Sequence, residues 1–242
     1  MGDSGRLYVA EDVIPVYREM LHLATIITPN YFEVECVFST CVQKMHSQWS
    51  FRTLTSTPLS DLTSLRRALT ILHTDYHVPN VVITSMPLAP WLYDVLPADL
   101  RPPDDDTEYL LSICSSSDNR VHAQYVPLLP GYFSGVGDLV SAMVVGHYSN
   151  SAKEGFFTPL SYAASQALSK TQAILTLTSE YASALPEAER QPTDDEADKV
   201  DPLRKTRRMR GRELRLVQGQ DVLRSRDSPK IQMVHWAEFW TQ

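Results

Sequence analysis

A chain of 242 residues with 43% hydrophobic and 21% charged residues has the make-up of a folded globular protein, in one large domain or two small ones. Its net charge of −7 argues against a general nucleic-acid binder, whose footprint would be basic. Nowhere do about 18 apolar residues run together, so neither a spanning helix nor membrane attachment is expected. The N-terminus, Met1-Gly2-Asp3-Ser4-Gly5, lacks both the basic and the apolar region of a secretion signal. The three cysteines, Cys36, Cys41 and Cys114, are odd in number and match no metal spacing, which points to a reduced, cytoplasmic compartment.

In chain order, Val13, Val16 or Tyr17, Met20, Leu21 and Ala24 fall at helical spacing, with Pro15 tolerable in a first turn. Ala24 to Thr28 reads as a short buried strand stopped by Pro29. Ser60 is placed to cap a second helix whose apolar face is Leu62, Leu65, Leu69 and Leu72. Asn80 to Thr84 follows as another buried strand, and apolar strands alternating with helices indicate a parallel sheet covered by helices. Tyr109–Cys114 and Val121–Val126, separated by the polar residues Ser115 to Asn119, predict a hairpin. An apolar helix from Leu139 to about His147 and a longer one from about Pro159 to Ala182, rich in Ala, Leu and Ser, complete the pattern. The class is α/β, with a mostly parallel sheet and some antiparallel edge.

Two stretches fit a compact domain poorly. Residues 186–212 are first acidic (Glu187, Glu189, Asp194, Asp195, Glu196, Asp198, Asp201), then basic (Arg204, Lys205, Arg207, Arg208, Arg210, Arg212). So charged a segment buries too little surface to offset chain entropy and reads as a solvated, flexible loop. Its basic half has a second reading as a nucleic-acid or nuclear-import patch. The other stretch, Cys36 to Arg52, has weak patterning and two of the three cysteines.

The most informative motif is Gly135-Val136-Gly137-Asp138 leading into a helix. A glycine pair lets backbone approach a ligand closely, and the helix start aims free N–H groups and its positive dipole end at it. That arrangement holds the negative charge that develops in phosphoryl transfer. An aspartate there can accept the proton of an attacking hydroxyl. The same four residues also read as an ordinary helix cap, since Asp is a favoured capping residue. They do not form a Walker loop, for no Gly-Lys-Ser/Thr follows.

Phe133-Ser134-Gly135-Val136-Gly137-Asp138 followed by Leu139 resembles the F-x-G-T-G-D-L/F element of pyridoxal kinases, in the ribokinase-like superfamily. Ile27-Thr28-Pro29-Asn30-Tyr31-Phe32-Glu33 resembles the I-T-P-N-x-F-E segment of the same family. Val81-Val82-Ile83-Thr84-Ser85 resembles its V-V-I-T-S strand, and Glu213-Leu214-Arg215-Leu216-Val217-Gln218 its E-L-R-x-V-Q. The order and spacing of these matches cover nearly the whole chain.

The resemblance implies a ribokinase-like fold, its mostly parallel sheet flanked by helices but lacking the family's N-terminal strands. Residues 1–185 would be the C-terminal portion of the kinase domain, and residues 213–242 a segment packing back on it. The implied activity is ATP-dependent phosphorylation of the 5′-hydroxymethyl group of pyridoxal, pyridoxine or pyridoxamine. Asp138 would be the base, and Gly135, Val136 and Gly137 the anion hole. Asn30 and Glu33 would lie near magnesium and the triphosphate, Thr84 and Ser85 at the nucleotide phosphates, and Phe133 beside nucleotide or substrate. Thr28 would help hold a monovalent cation, K+. The family also implies a homodimer.

Three departures bear on that expectation. Met1-Gly2-Asp3 matches only the end of the family's D-P-V-M-G-D element, so Asp3 supplies its second acid and the first has no counterpart. An internal methionine taken as the start is the expected explanation. Residues 36–52 separate segments that the family nearly joins, as a surface insertion or translated intron. Val136 stands where the family has threonine. Two alternatives therefore stand beside the leading one: hydroxymethylpyrimidine kinase of thiamine synthesis, which shares scaffold and motifs, and a catalytically incomplete fragment that acts only as an interaction module.

Overall fold

The computed structural model describes residues 13–34, 59–131, 133–149, 158–190 and 195–241. Asp3, Cys36, Cys41 and the whole 36–52 stretch lie outside them. Helix α1 (Val13–Met20) ends in a turn of 3-10 helix and leads into β1 (Ile26–Ile27) and the short α2 (Tyr31–Val34). Then come α3 (Leu62–Thr70), β2 (Asn80–Pro87), α4 (Pro90–Val95), β3 (Tyr109–Ser116), β4 (Val121–Pro127), α5 (Val136–His147) and α6 (Pro159–Ser183). Three short helices, α7 (Glu187–Arg190), α8 (Asp195–Val200) and α9 (Pro202–Met209), precede α10 (Gln220–Arg224) and β5 (Val234–His235).

The strands form one sheet in the order β1-β2-β3-β4-β5. β1 and β2 pair in parallel; β2–β3, β3–β4 and β4–β5 are antiparallel, so among the described strands the antiparallel part is more than an edge. The expected hairpin is present, its strands extending to Ser116 and Pro127, and Asn119 takes the left-handed conformation in its turn. Asn tolerates that conformation because its short polar side chain bonds locally.

Both faces of the sheet are covered, which explains its near-continuous apolar runs. Val81, Ile83, Leu111, Ile113 and Ala123 pack with α3, α4, Trp236 and Phe239. Val82 and Cys114 face the other way, against α5 and α6. Burial pushes the Cys114 thiol up to about 12, leaving it an inert core group. The apolar face expected for α3 is buried throughout, but its cap is Asp61 rather than Ser60. Asp61 accepts from the Ser64 amide at 2.7 Å while the Ser64 hydroxyl takes the Asp61 amide, a reciprocal capping box. Helix α1 also departs from expectation. It packs through Ile14 and Leu21, two turns apart on one face, and leaves Val16, Tyr17 and Met20 more than half exposed.

The serine content of α6 has a structural cause. Ser165 accepts from the Met233 amide, Ser169 from the Ile231 amide, and Gln166 donates to the Asp227 carbonyl. Lys170 is buried and donates to the Leu223 and Ser225 carbonyls, both at 2.8 Å; burial lowers its pKa. This polar stripe satisfies the backbone of the C-terminal segment, which β5 then joins to the sheet and Trp240 ties to the Asn119 carbonyl.

Two consequences are measurable. Lys170→Met leaves two carbonyls without their charged donor, and urea unfolding is expected to show a loss of about 2–3 kcal/mol. His122 is buried in β4 beside His235, and burial first, then the neighbouring imidazole, lowers its pKa from 6.5 to about 4. Burial also lowers His73 and His147. The unfolded chain therefore binds more protons than the folded one between pH 6.5 and about 4, so stability is full above pH 6.5 and falls across that window. His122→Phe is expected to flatten the fall, measured by melting temperature against pH.

Candidate active site

The site is assembled where the parallel pair β1 and β2 ends, at the strand C-termini that open α/β sheets use for ligands. After β1 the chain turns through Thr28 and Pro29 into α2. The Asn30 side chain accepts from the Glu33 amide and the Glu33 carboxylate accepts from the Asn30 amide, each at 2.9 Å. Asn30 is thus the cap of α2, and Glu33 closes the box in its first turn.

β2 reaches the same place through a bulge. Ile83 pairs with Ile113 and Met86 with Leu111, so Thr84 and Ser85 together face the single residue Ser112. The Ser112 hydroxyl fills the gap by donating to the Ile83 carbonyl at 3.0 Å. Such a bulge re-aims side chains and is over-represented beside active sites. On the β1 side of β2, the Thr84 amide donates to the Pro29 carbonyl at 2.9 Å, which sets Thr84 against the Thr28–Asn30 turn.

The Gly135–Asp138 segment is tied to the same turn. The Ser141 hydroxyl lies 2.7 Å from that of Thr28 and donates to the Gly137 carbonyl at 2.8 Å, so one chain of bonds joins β1 to the first turns of α5. Gly135 is the cap of α5, at φ +83°, a conformation that glycine adopts without the cost a side chain would add. Asp138 is therefore not the cap: it sits inside the first turn, exposed, and the capping alternative fails for it. Val136 turns its side chain toward the apolar cluster under α5, leaving its amide for the open side. A Cβ on Gly137 would meet nothing within 4 Å. Neither packing nor dihedral angle requires glycine there, which leaves close approach of an outside group as its physical use. The first-turn amides of Val136, Gly137 and Asp138 have no acceptor within the helix, as at every helix start.

On the other side, the Ser134 amide donates to the Arg212 carbonyl at 3.0 Å, and Ser134 bridges to Glu213. The segment that begins at Glu213 therefore holds the glycine motif in place. Phe133 lines a cavity of about 360 Å³ with Pro130, Gly131, Ser179, Arg190 and Arg212. The structure thus brings Thr28, Asn30, Glu33, Thr84, Ser85 and the Gly135–Asp138 turn into one neighbourhood. Phe133 faces the cavity next to it, and Asp3 lies outside the described residues. Sequence reasoning missed Ser141 and Ser112, single hydroxyls whose bonds only the folded chain creates.

Residues 186–212 correct an expectation. In place of a solvated loop, the described part forms α7, α8 and α9, tied by ion pairs. Arg208 grips both oxygens of Asp198 at 2.8 and 2.7 Å, and Arg204 adds a third bond at 2.6 Å. Arg208 first, with Arg204, holds the Asp198 carboxyl well below the usual carboxylate range. Asp201 caps α9 and pairs with Arg207, and Arg210 reaches Glu189.

Hydroxyl-bearing strand ends beside a glycine-flanked helix start suit the phosphates of a small-molecule ligand. In sequence and in fold the chain is similar to pyridoxal kinases. Pyridoxal kinase of Arabidopsis thaliana is 28% identical over 238 residues, 96% of this chain and 57% of that protein. Pyridoxal kinase of Leishmania donovani in complex with ADP and ginkgotoxin superimposes with a TM-score of 0.60 at 25% identity, over 97% of this chain and 58% of that one. The Plasmodium falciparum structure with AMP-PNP and PL matches with a TM-score of 0.58 at 19% identity, over 98% and 58%, and shows the fold alone. No protein-family model matches the sequence. The chain spans 39% to 60% of the length of the first curated relatives it matches.

The two glycines are expected to part company on substitution. Gly135→Ala forces a side chain into the left-handed region and should cost about 1 kcal/mol or more in urea unfolding. Gly137→Ala sits in open helix and should be neutral or stabilising by up to about 1 kcal/mol, yet weaken nucleotide binding in calorimetric titration.

Proposed function

We propose that this chain belongs to the machinery that transfers the γ-phosphoryl group of ATP to the 5′-hydroxymethyl group of pyridoxal, pyridoxine or pyridoxamine. The observation that carries the reading is the start of α5: a left-handed Gly135, an uncrowded Gly137 and an exposed Asp138, set beside Thr84 by the Thr28–Ser141 link. Relatives named pyridoxal kinase, and solved structures that contain ADP with pyridoxine or pyridoxamine, support it.

In this reading the first-turn amides hold the transferred group, where each donor is already aimed and reorganises little as charge develops. Asp138 takes the proton from the attacking hydroxyl. Thr84 and Ser85, re-aimed by the bulge, position the polyphosphate, and Phe133 offers an aromatic face to the base. Among the described residues no three His, Cys, Asp or Glu side chains cluster to cage a metal. Magnesium favours one or two carboxylates plus substrate phosphates, and Glu33, with Asn30 and Asp3, would hold it. When bound it neutralises polyphosphate charge. The Thr28 hydroxyl, already bonded to Ser141, keeps a lone pair for K+. A homodimer and a cytoplasmic location are part of the same proposal.

The test is formation of pyridoxal 5′-phosphate from pyridoxal and MgATP by the purified chain, beside Asp138→Asn. Turnover is expected, with a drop of about 10²–10⁴-fold in the variant. Turnover that survives the substitution removes Asp138 as the base. An inert wild-type chain that still binds MgATP favours the incomplete-fragment reading. Preference for hydroxymethylpyrimidine over pyridoxal supports the thiamine alternative.

A further inference from the structure

The charged segment after α6 does more than fold. α7, α9 and the turn after α9 bring Arg190, Arg208 and Arg212 to the lining of the 360 Å³ cavity, which Pro130 and Phe133, the residues that run into Gly135, also line. The three arginines do not play one part. Arg208 is buried and clamped in both hands by Asp198, so it fixes the wall. Arg212 lends its carbonyl to Ser134, so it fixes the spacing between cavity and glycine turn. Arg190 is exposed at the end of α7, lines the cavity and, among the described residues, makes no ion pair.

The wall is also pressed tightly onto α6. A Cβ on Gly211 would meet Leu185 Cδ1 at 3.1 Å and Ala182 Cβ at 3.4 Å, so the return of the chain from α9 leaves little room for a side chain against α6. The Arg215 guanidinium lies 3.9 Å from the centre of the Tyr181 ring, and Arg210 bonds the same tyrosine from the other side of that return. The cavity thus combines an aromatic ring, small polar groups on α6, the Glu189 carboxylate, which Arg210 pairs, and the Arg190 guanidinium, which among the described residues has no carboxylate partner. These are complements of a ligand that is aromatic at one end and anionic at the other.

We propose that α7–α9 form a fixed cap over the nucleotide, and that Arg190 is a positioning and specificity residue that contacts its phosphates from the cap side. This rests on the nucleotide reading of the site given above. The cap acts on nucleotide affinity through the cavity it shares with Phe133. The charge supplied by Arg190 discriminates a nucleotide from its uncharged nucleoside, whereas Phe133 acts on both.

The experiment is calorimetric titration of the full chain, its Arg190→Ala and Arg190→Lys variants, and a Phe133→Ala variant, with MgADP and with adenosine. Wild type is expected to bind both. Arg190→Ala should lose about tenfold for MgADP and nothing for adenosine, with partial recovery in Arg190→Lys. Phe133→Ala should lose affinity for both. Unchanged MgADP affinity in Arg190→Ala, or an equal loss for adenosine, overturns the cap proposal while the nucleotide site stands. A wild-type chain that binds neither ligand overturns the nucleotide reading, and the cap proposal with it. An unfolding curve for Arg190→Ala that matches wild type keeps a folding defect from imitating the expected loss.

Discussion

One backbone hydrogen bond organises the site: the Thr84 amide donating to the Pro29 carbonyl. Strand β1 is two residues long, too short to fix the direction of the chain that leaves it. The Ser117 amide donates to the Pro79 carbonyl, so the odd residues of β2 bond β3 and the Thr84 amide, by alternation, turns to β1's continuation. A buried amide must find an acceptor somewhere, and here finding one carries the whole Thr28–Glu33 turn to the end of β2. From that turn the Thr28–Ser141 contact reaches α5, so the glycine motif is linked to a backbone bond of β2 more than fifty residues upstream in sequence.

The same accounting explains why the charged segment is ordered. Its composition counts each charge as one that needs water, and on that count nothing remains to offset the entropy of ordering it. In the fold the charges serve one another. Asp198 takes three bonds from Arg204 and Arg208, on the helix that follows its own, and the bidentate geometry of the Arg208 pair is the stronger kind of charge-assisted contact. Acidic residues first and basic residues after them, which looked like two solvated blocks, are the two sides of one helical hairpin.

Legibility in the sequence followed the kind of information each feature carries. Periodicity located α3, α5, α6, β2 and the β3–β4 hairpin, because burial on one face or both leaves a repeat that any window can detect. It placed α1 and its buried Leu21 but missed Ile14, since the exposed Val16, Tyr17 and Met20 are as apolar as the line that is buried. The cap at Asp61 lay beside the expected Ser60, a choice that side-chain geometry makes and residue type does not. Nothing in the sequence signals the bulge at Thr84 and Ser85 or the polar stripe of α6. Both are answers to backbone groups that only tertiary structure creates. Resemblance to known motifs supplied the candidate residues, but not which of them touch.

Contact sorts those candidates into two kinds. Asn30 and Glu33 satisfy each other across the start of α2, Thr28 is bonded to Ser141, and the Thr84 amide is bonded to Pro29. These groups are held before any ligand arrives, so the entropy of arranging them is spent in folding and not in binding. Asp138 and Gly137 differ: one is an exposed carboxylate in a first helical turn, the other a missing side chain over open space. A proton acceptor needs freedom to follow its proton, and an anion hole needs an approach that no Cβ blocks. The framework residues explain where the reaction would occur, and the two that the fold leaves uncommitted explain what would be done there.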